Sequence, residues 1–240
     1  MLNSKLFVLC LLALVTGYSS SIGYKGEPDP FKTQLVGLHQ ENSTLVAMAA
    51  SAPSSIAQIK QAKSSNAPTV STHYRYYPIT GNSVAELRAQ MTQQGPMDLI
   101  EGRRYDARTD WSVQWAYTHA RTQGGCAIGS LTTSVDVTIT YPQWTPTSRA
   151  PRSAIAEWQR YMTALQLHEN GHKDNGIAAG QAVVRTLSQL PAYSSCQRLD
   201  AAASSAAQSA IRHYNQQDLN YDQTTYHGYS QGAVFGSANH

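Results

Sequence analysis

The chain has 240 residues, a formal net charge of +3 and only 14% charged residues, against about 25% in an average soluble protein. So small a positive excess, with no run of five like charges, excludes a phosphate-tracking nucleic-acid binder and a charged tail. The length suits one domain with an extension.

At the N-terminus, Lys5 precedes an apolar run from Leu6 to Val15, then Gly17, Tyr18, Ser19 and Ser20. A positive residue, a short apolar core and small residues predict a signal peptide over 1–20, cleaved near residue 20. The run is half the roughly 20 residues that a spanning helix needs. No second run follows, so no membrane span is expected in the mature chain. The expected location is periplasmic or secreted. Cleavage removes Cys10 and leaves Cys126 and Cys196, an even pair that predicts one disulfide in an exported chain.

Residues 21–68 are rich in Ser, Ala, Gln and Pro and read as a flexible linker. A compact domain is expected over 69–232 and a disordered tail over 233–240. Thr69 to Tyr77 is β-branched and aromatic and reads as a strand. Ser83-Val-Ala-Glu86 is a capping box opening a short helix that stops at Gly95-Pro96. Trp111, Val113, Trp115 and Tyr117 alternate with polar or small residues, as do Val135, Val137, Ile139 and Tyr141. Period two predicts half-buried strands, here an antiparallel sheet with one apolar face, joined by a Gly124-Gly125 turn.

From Pro151 the period changes. Ile155, Trp158, Met162 and Leu165 recur at helical spacing toward Leu190-Pro191, and proline suits both ends of a helix. A second, Ala-rich helix is expected from about Gln197 to Gln217. Strands followed by helices indicate an α+β domain.

Within the long helix stands His168-Glu169-Asn170-Gly171-His172. Residues i and i+4 lie one turn apart on one helix face. Both imidazoles can therefore hold one zinc ion while Glu169 reaches a water beside it. With 8 histidines in the chain, chance supplies this H-E-x-x-H pattern about 0.007 times. Gly171 counts modestly against a metal helix, because a mid-helix glycine costs about 1 kcal/mol. The fold expected around the motif is zincin-like.

A third zinc ligand must come from elsewhere. Asn175 and Ala178 stand where H-E-x-x-H-x-x-G-x-x-H needs Gly and His, and no Glu follows Glu169. Asp174, Asp200, His213, Asp218, Asp222, His227 and His240 remain downstream. Asp174 lies about 200° around the helix from His172. His213 and Asp218 read as the solvated end of a helix, and His240 is terminal. The segment Tyr221-Asp222-Gln-Thr-Thr225-Tyr-His227-Gly228 returns after the helical hairpin, and Gly228 permits close approach. It favours His227 as third ligand, with Asp222 as the alternative or as a partner orienting an imidazole. Tyr226, Tyr221, Tyr229, His213 and Arg212 are candidates for stabilising a developing oxyanion. His119 reads as a buried, satisfied histidine.

The chain resembles the bacterial family of predicted secreted zinc-dependent proteases, a domain of unknown function. The resemblance rests on Thr109-x-Trp111-x-Val-x-Trp115, Cys126, Trp158-x-x-Tyr161, His168-Glu169-x-x-His172 and Tyr221-Asp222-x-x-Thr225-x-His227-Gly228, and covers roughly residues 73–230. It implies an exported zinc-dependent peptidase acting on peptide or protein substrates. Two rival readings stand beside it. One is a zinc-stabilised binding module whose site is closed by a fourth ligand. The other is a zinc amidase acting on cell-wall peptides. No heptad pattern suggests an oligomer, so a monomer is the default.

Overall fold

The computed structural model describes residues 67–99 and 102–236, and the backbone of Ser21–Lys25. The signal peptide expected over 1–20, most of the segment expected as a linker, and residues 237–240 lie outside the described residues.

Strand β1 (Ser21–Lys25) comes from within the stretch expected as a linker. Strand β2 (Thr69–Ile79) starts where the compact domain was expected to start. Helix α1 (Val84–Gln94) follows, opened by the reciprocal Ser83–Glu86 capping box and ended by Gly95. Two short strands, β3 (Met97–Asp98) and β4 (Arg103–Arg104), pair with each other. Strands β5 (Arg108–Thr122) and β6 (Gly125–Trp144) form a long hairpin. Helices α2 (Arg152–Ser188) and α3 (Cys196–Thr225) complete the α+β fold, followed by a 3-10 turn at Tyr229–Gln231.

The main sheet has the order β1-β5-β6-β2. β5 is antiparallel to β1 and to β6, whereas β2 runs parallel to β6 over eleven register pairs. The sheet is therefore mixed, not antiparallel as expected. Alternation along a strand reports which face is buried and carries nothing about the direction of its neighbour. β2 is followed by α1 and a long connection rather than a tight turn, so the chain returns to pair with it from β6.

The predicted face is the one buried. Trp111, Val113 and Trp115 of β5 and Leu131, Val135, Val137 and Ile139 of β6 are at most 2% exposed. They pack under one stripe of α2, including Tyr161, Leu165, Ala179, Val183 and Leu187, and under Ala203, Ala207 and Ile211 of α3. The opposite face carries Asp110 and Gln114, which are exposed, and Thr138 and Thr140, which are half-buried. The disulfide Cys126–Cys196 ties the start of β6 to the start of α3, 70 residues apart. It sits beside a two-bond backbone bridge between Cys126 and Tyr193.

Two expectations about the C-terminal part need correction. α3 does not end near Gln217 but continues through Asp222 to Thr225. Polar composition had obscured this last stretch, which is held by packing against α2 rather than by propensity. The tail is ordered to Gly236, not disordered from 233. Phe235 is 2% exposed and packs on Trp158 and Tyr161, with ring centroids 5.3 and 5.0 Å away. A single large aromatic anchors a segment that composition marks as loose. No described helix is long and apolar enough to cross a membrane.

Candidate metal centre

α2 crosses the sheet so that one turn carries His168, Glu169 and His172, all at most 8% exposed. α3 packs against it and turns Asp218 and Asp222, again one turn apart, toward that histidine pair. Two i, i+4 pairs on facing helices thus meet across their interface.

His168 Nε2 and His172 Nε2 lie 3.3 Å apart. Asp222 Oδ1 is 3.2 Å from the first and 3.1 Å from the second. A tetrahedral cation with bonds of ~2.0 Å sets its ligand atoms about 3.3 Å apart. The three donor atoms therefore already have the mutual spacing of a ligand set. His227, favoured from sequence as the third ligand, falls outside this group. The alternative, Asp222, is inside it.

The histidine orientations are fixed from behind. His172 Nδ1 lies 3.0 Å from Asp218 Oδ1, and His168 Nδ1 lies 3.0 Å from the side-chain oxygen of Gln231. Each Nδ1 donates there, so each Nε2 is turned to the cluster. Asp218, read from sequence as lying at a solvated helix end, is instead largely enclosed. It also accepts from Asn175 Nδ2 at 2.8 Å and from Trp111 Nε1 at 2.8 Å, which couples it to the core.

Gly171, an unfavourable sign in the sequence, has a positive role here. A Cβ at that position would come within 2.3 Å of the Tyr221 ring. Its absence lets Tyr221 lie against α2 and stack on the His168 imidazole, 5.1 Å between centroids and 11° between planes. The Tyr221 hydroxyl donates to His168 O (3.2 Å) and accepts from Gln231 Nε2 (3.0 Å). Tyr221 and Gln231 thereby brace one imidazole. Gln231 was not visible from sequence, because nothing local ties it to His168.

The charges explain the chemistry the site can do. Burial pushes the Glu169 carboxyl above its ordinary pKa, an effect reduced by His172 and by the Thr109 hydroxyl, which donates to Oε2 at 2.7 Å. Burial opposes charge on His172 too. Hydrogen bonds with Asp218 and Asp222 outweigh it and push that imidazole up to about 10. Burial also raises Asp222, but the His168, His172 and His227 rings around its carboxylate hold it well below the usual carboxylate range. Two carboxylates thus demand positive charge between α2 and α3. A proton satisfies that demand in part, and a divalent cation competes for the same lone pair.

The cluster floors a cleft of about 300 Å³, at the small end of ligand-sized cavities. Arg104, Tyr105, Thr109, Leu165, Leu219 and His227 are among its walls. None of the five residues considered as oxyanion stabilisers (Tyr226, Tyr221, Tyr229, His213 and Arg212) lines it. His213 is exposed and contacts Gln217 within α3. Tyr226 is 71% exposed. His119 is satisfied, as expected, at 2.8 Å from Asp200 Oδ1.

Residues 74–228 match a family described as bacterial protein of unknown function, DUF922. The match covers well over half of the chain and encloses the whole cluster, and the chain belongs to that family. No curated protein and no solved structure matches the chain.

Proposed function

With membership of that bacterial family as the premise, we propose that the chain is an exported zinc-dependent metallopeptidase acting on peptide or protein substrates. The observation that carries this reading is the triangle of His168 Nε2, His172 Nε2 and Asp222 Oδ1, with sides of 3.1–3.3 Å, beside the buried Glu169. Two imidazoles and one carboxylate in a four-coordinate arrangement leave one position for a substrate or water, and this donor set suits zinc. When bound, zinc polarises a substrate carbonyl and lowers the pKa of a water toward ~7.

The chain's own residues do the rest. Glu169 accepts the proton of the attacking water as its oxygen bonds to the carbonyl carbon. Burial, which disfavours the Glu169 carboxylate and raises its pKa, makes it a better acceptor for that proton. It then passes the proton to the leaving amine as the C–N bond breaks, so that amide and water become acid and amine. Thr109 keeps the Glu169 carboxyl aimed, and Asp218 and Gln231 keep the imidazoles aimed. The cysteine pair and the sequence-predicted signal peptide support export.

Glu169→Gln is the direct test. The variant is expected to keep one zinc per chain and lose hydrolysis of fluorescein-labelled casein by about 10²–10⁴-fold. Full activity in that variant would end the reading. The binding-module alternative is favoured by one observation, His227 Nδ1 at 3.4 Å from Asp222 Oδ1. A fourth protein ligand at that place would close the site and leave no position for substrate.

A further inference from the structure

The position of His227 supports a more specific role, which rests on the peptidase reading. Tyr226 and His227 both have φ 52° and Gly228 has φ 83°. Two consecutive non-glycine residues in the left-handed region are costly and persist where the surroundings enforce them. Gly228 sits against the metal helix, where a Cβ would come within 3.1 Å of both Cβ and Cγ of His168. This tight turn delivers the His227 ring to the cleft wall beside Asp222.

The ring is oriented from the other side of the cleft mouth. His227 Nε2 lies 3.0 Å from Arg103 Nη2. A guanidinium has donors only, so Nε2 must accept and the ring hydrogen resides on Nδ1. The imidazole also packs on Tyr105, centroids 4.9 Å apart. Arg103 lies over the same tyrosine, 4.7 Å from its centroid, and donates to its hydroxyl at 2.6 Å. Nδ1–H is left facing Asp222 Oδ1 at 3.4 Å, beyond the ~2.7–3.2 Å of an ordinary N–H···O bond. A protonated ring nitrogen has no lone pair to give a cation. It is an underused donor next to the one carboxylate oxygen that joins both ligand histidines.

We propose that His227 is a catalytic hydrogen-bond donor and not a metal ligand, presenting Nδ1–H to the oxygen that gains negative charge when an amide carbonyl is attacked. Arg103 and Tyr105 are positioning residues that fix its tautomer and ring plane. Glu169 and His227 then divide the work, one handling the proton of water and the other the carbonyl oxygen.

The test compares the full chain with His227→Ala and His227→Asn. Asparagine tolerates a positive φ and can place an amide N–H near the position of Nδ1. Three quantities are read: zinc per chain by elemental mass spectrometry, the Kd of acetohydroxamate as an oxyanion-bearing probe, and kcat and KM on fluorescein-labelled casein. His227→Ala is expected to keep its zinc, to lower kcat by about 10²–10³-fold with little change in KM, and to weaken acetohydroxamate. His227→Asn is expected to recover part of both losses. Loss of zinc from both variants would make His227 a ligand and overturn the proposal. Retained zinc with unchanged kcat and acetohydroxamate affinity would overturn it equally. A parent chain that binds zinc and acetohydroxamate but leaves casein intact would remove the peptidase reading alone, and the acetohydroxamate comparison would still decide the role of His227.

Discussion

Among the described residues, two places bring three potential metal donors within 4.8 Å of one another: His168, His172 and Asp222 between α2 and α3, and His119, Cys126 and Cys196 at the far end of the β5–β6 hairpin. Distance alone does not separate them. At the second place the two sulfurs are bonded to each other, so neither is the thiolate that binds metal. His119 is held by Asp200, which also accepts from the Tyr117 hydroxyl at 2.7 Å. Those groups are spent on one another. At the first place two carboxylates and two imidazole nitrogens converge with negative charge in excess. The difference teaches that a metal centre is defined by uncompensated donors rather than by their closeness.

The sharpest way to break this comparison is to remove donors from each place. His168→Ala, His172→Ala or Asp222→Ala is expected to abolish zinc binding, read as metal per chain, while His119→Ala leaves zinc in place. Zinc retained in the Asp222 variant, or lost in the His119 variant, would reverse the two assignments. The next largest effect falls on the cross-link. Replacing both Cys126 and Cys196 by Ala is expected to cost about 2–5 kcal/mol in urea unfolding, because a loop of about 70 residues is freed in the unfolded chain. Zinc content should stay near one per folded chain. Stability equal to the parent would mean the disulfide carries no load. The smallest effect sharpens the first cluster. Asp218→Asn keeps the three ligands but weakens the acceptor behind His172. It is expected to lower zinc affinity by about 10–100-fold, measured by competition with a chromophoric chelator. An unchanged affinity would leave Asp218 with a packing role only, through Trp111 and Asn175.

Particular residues show how much of the site was legible. His168, Glu169 and His172 follow from one turn of helix, and the structure keeps them together on the buried stripe of α2. Asp222 was legible as a candidate but ranked below His227, with residues 221–228 read as a segment that returns after the helical hairpin. The continuation of α3 to Thr225 puts Asp222 opposite both histidines and carries His227 past them into the turn. Gly171 was misjudged for a similar reason. Its helix-propensity cost is local, whereas the benefit, room for the Tyr221 ring, exists only after α3 docks.

By itself the sequence determined what depends on near neighbours in the chain. The capping box at Ser83, the buried faces of β5 and β6, and the meeting of His168 with His172 are set by helical and strand periods. The cysteine pairing followed from Cys126 and Cys196 being the two candidates outside the expected signal peptide. Only the tertiary structure decided the parallel pairing of β2 with β6, the convergence of Asp222 on the histidine pair, and the contact of His227 with Arg103. These rest on contacts between residues 50 to 124 positions apart, whose distances are fixed by how α3, β4 and the sheet pack, and no local period records that packing.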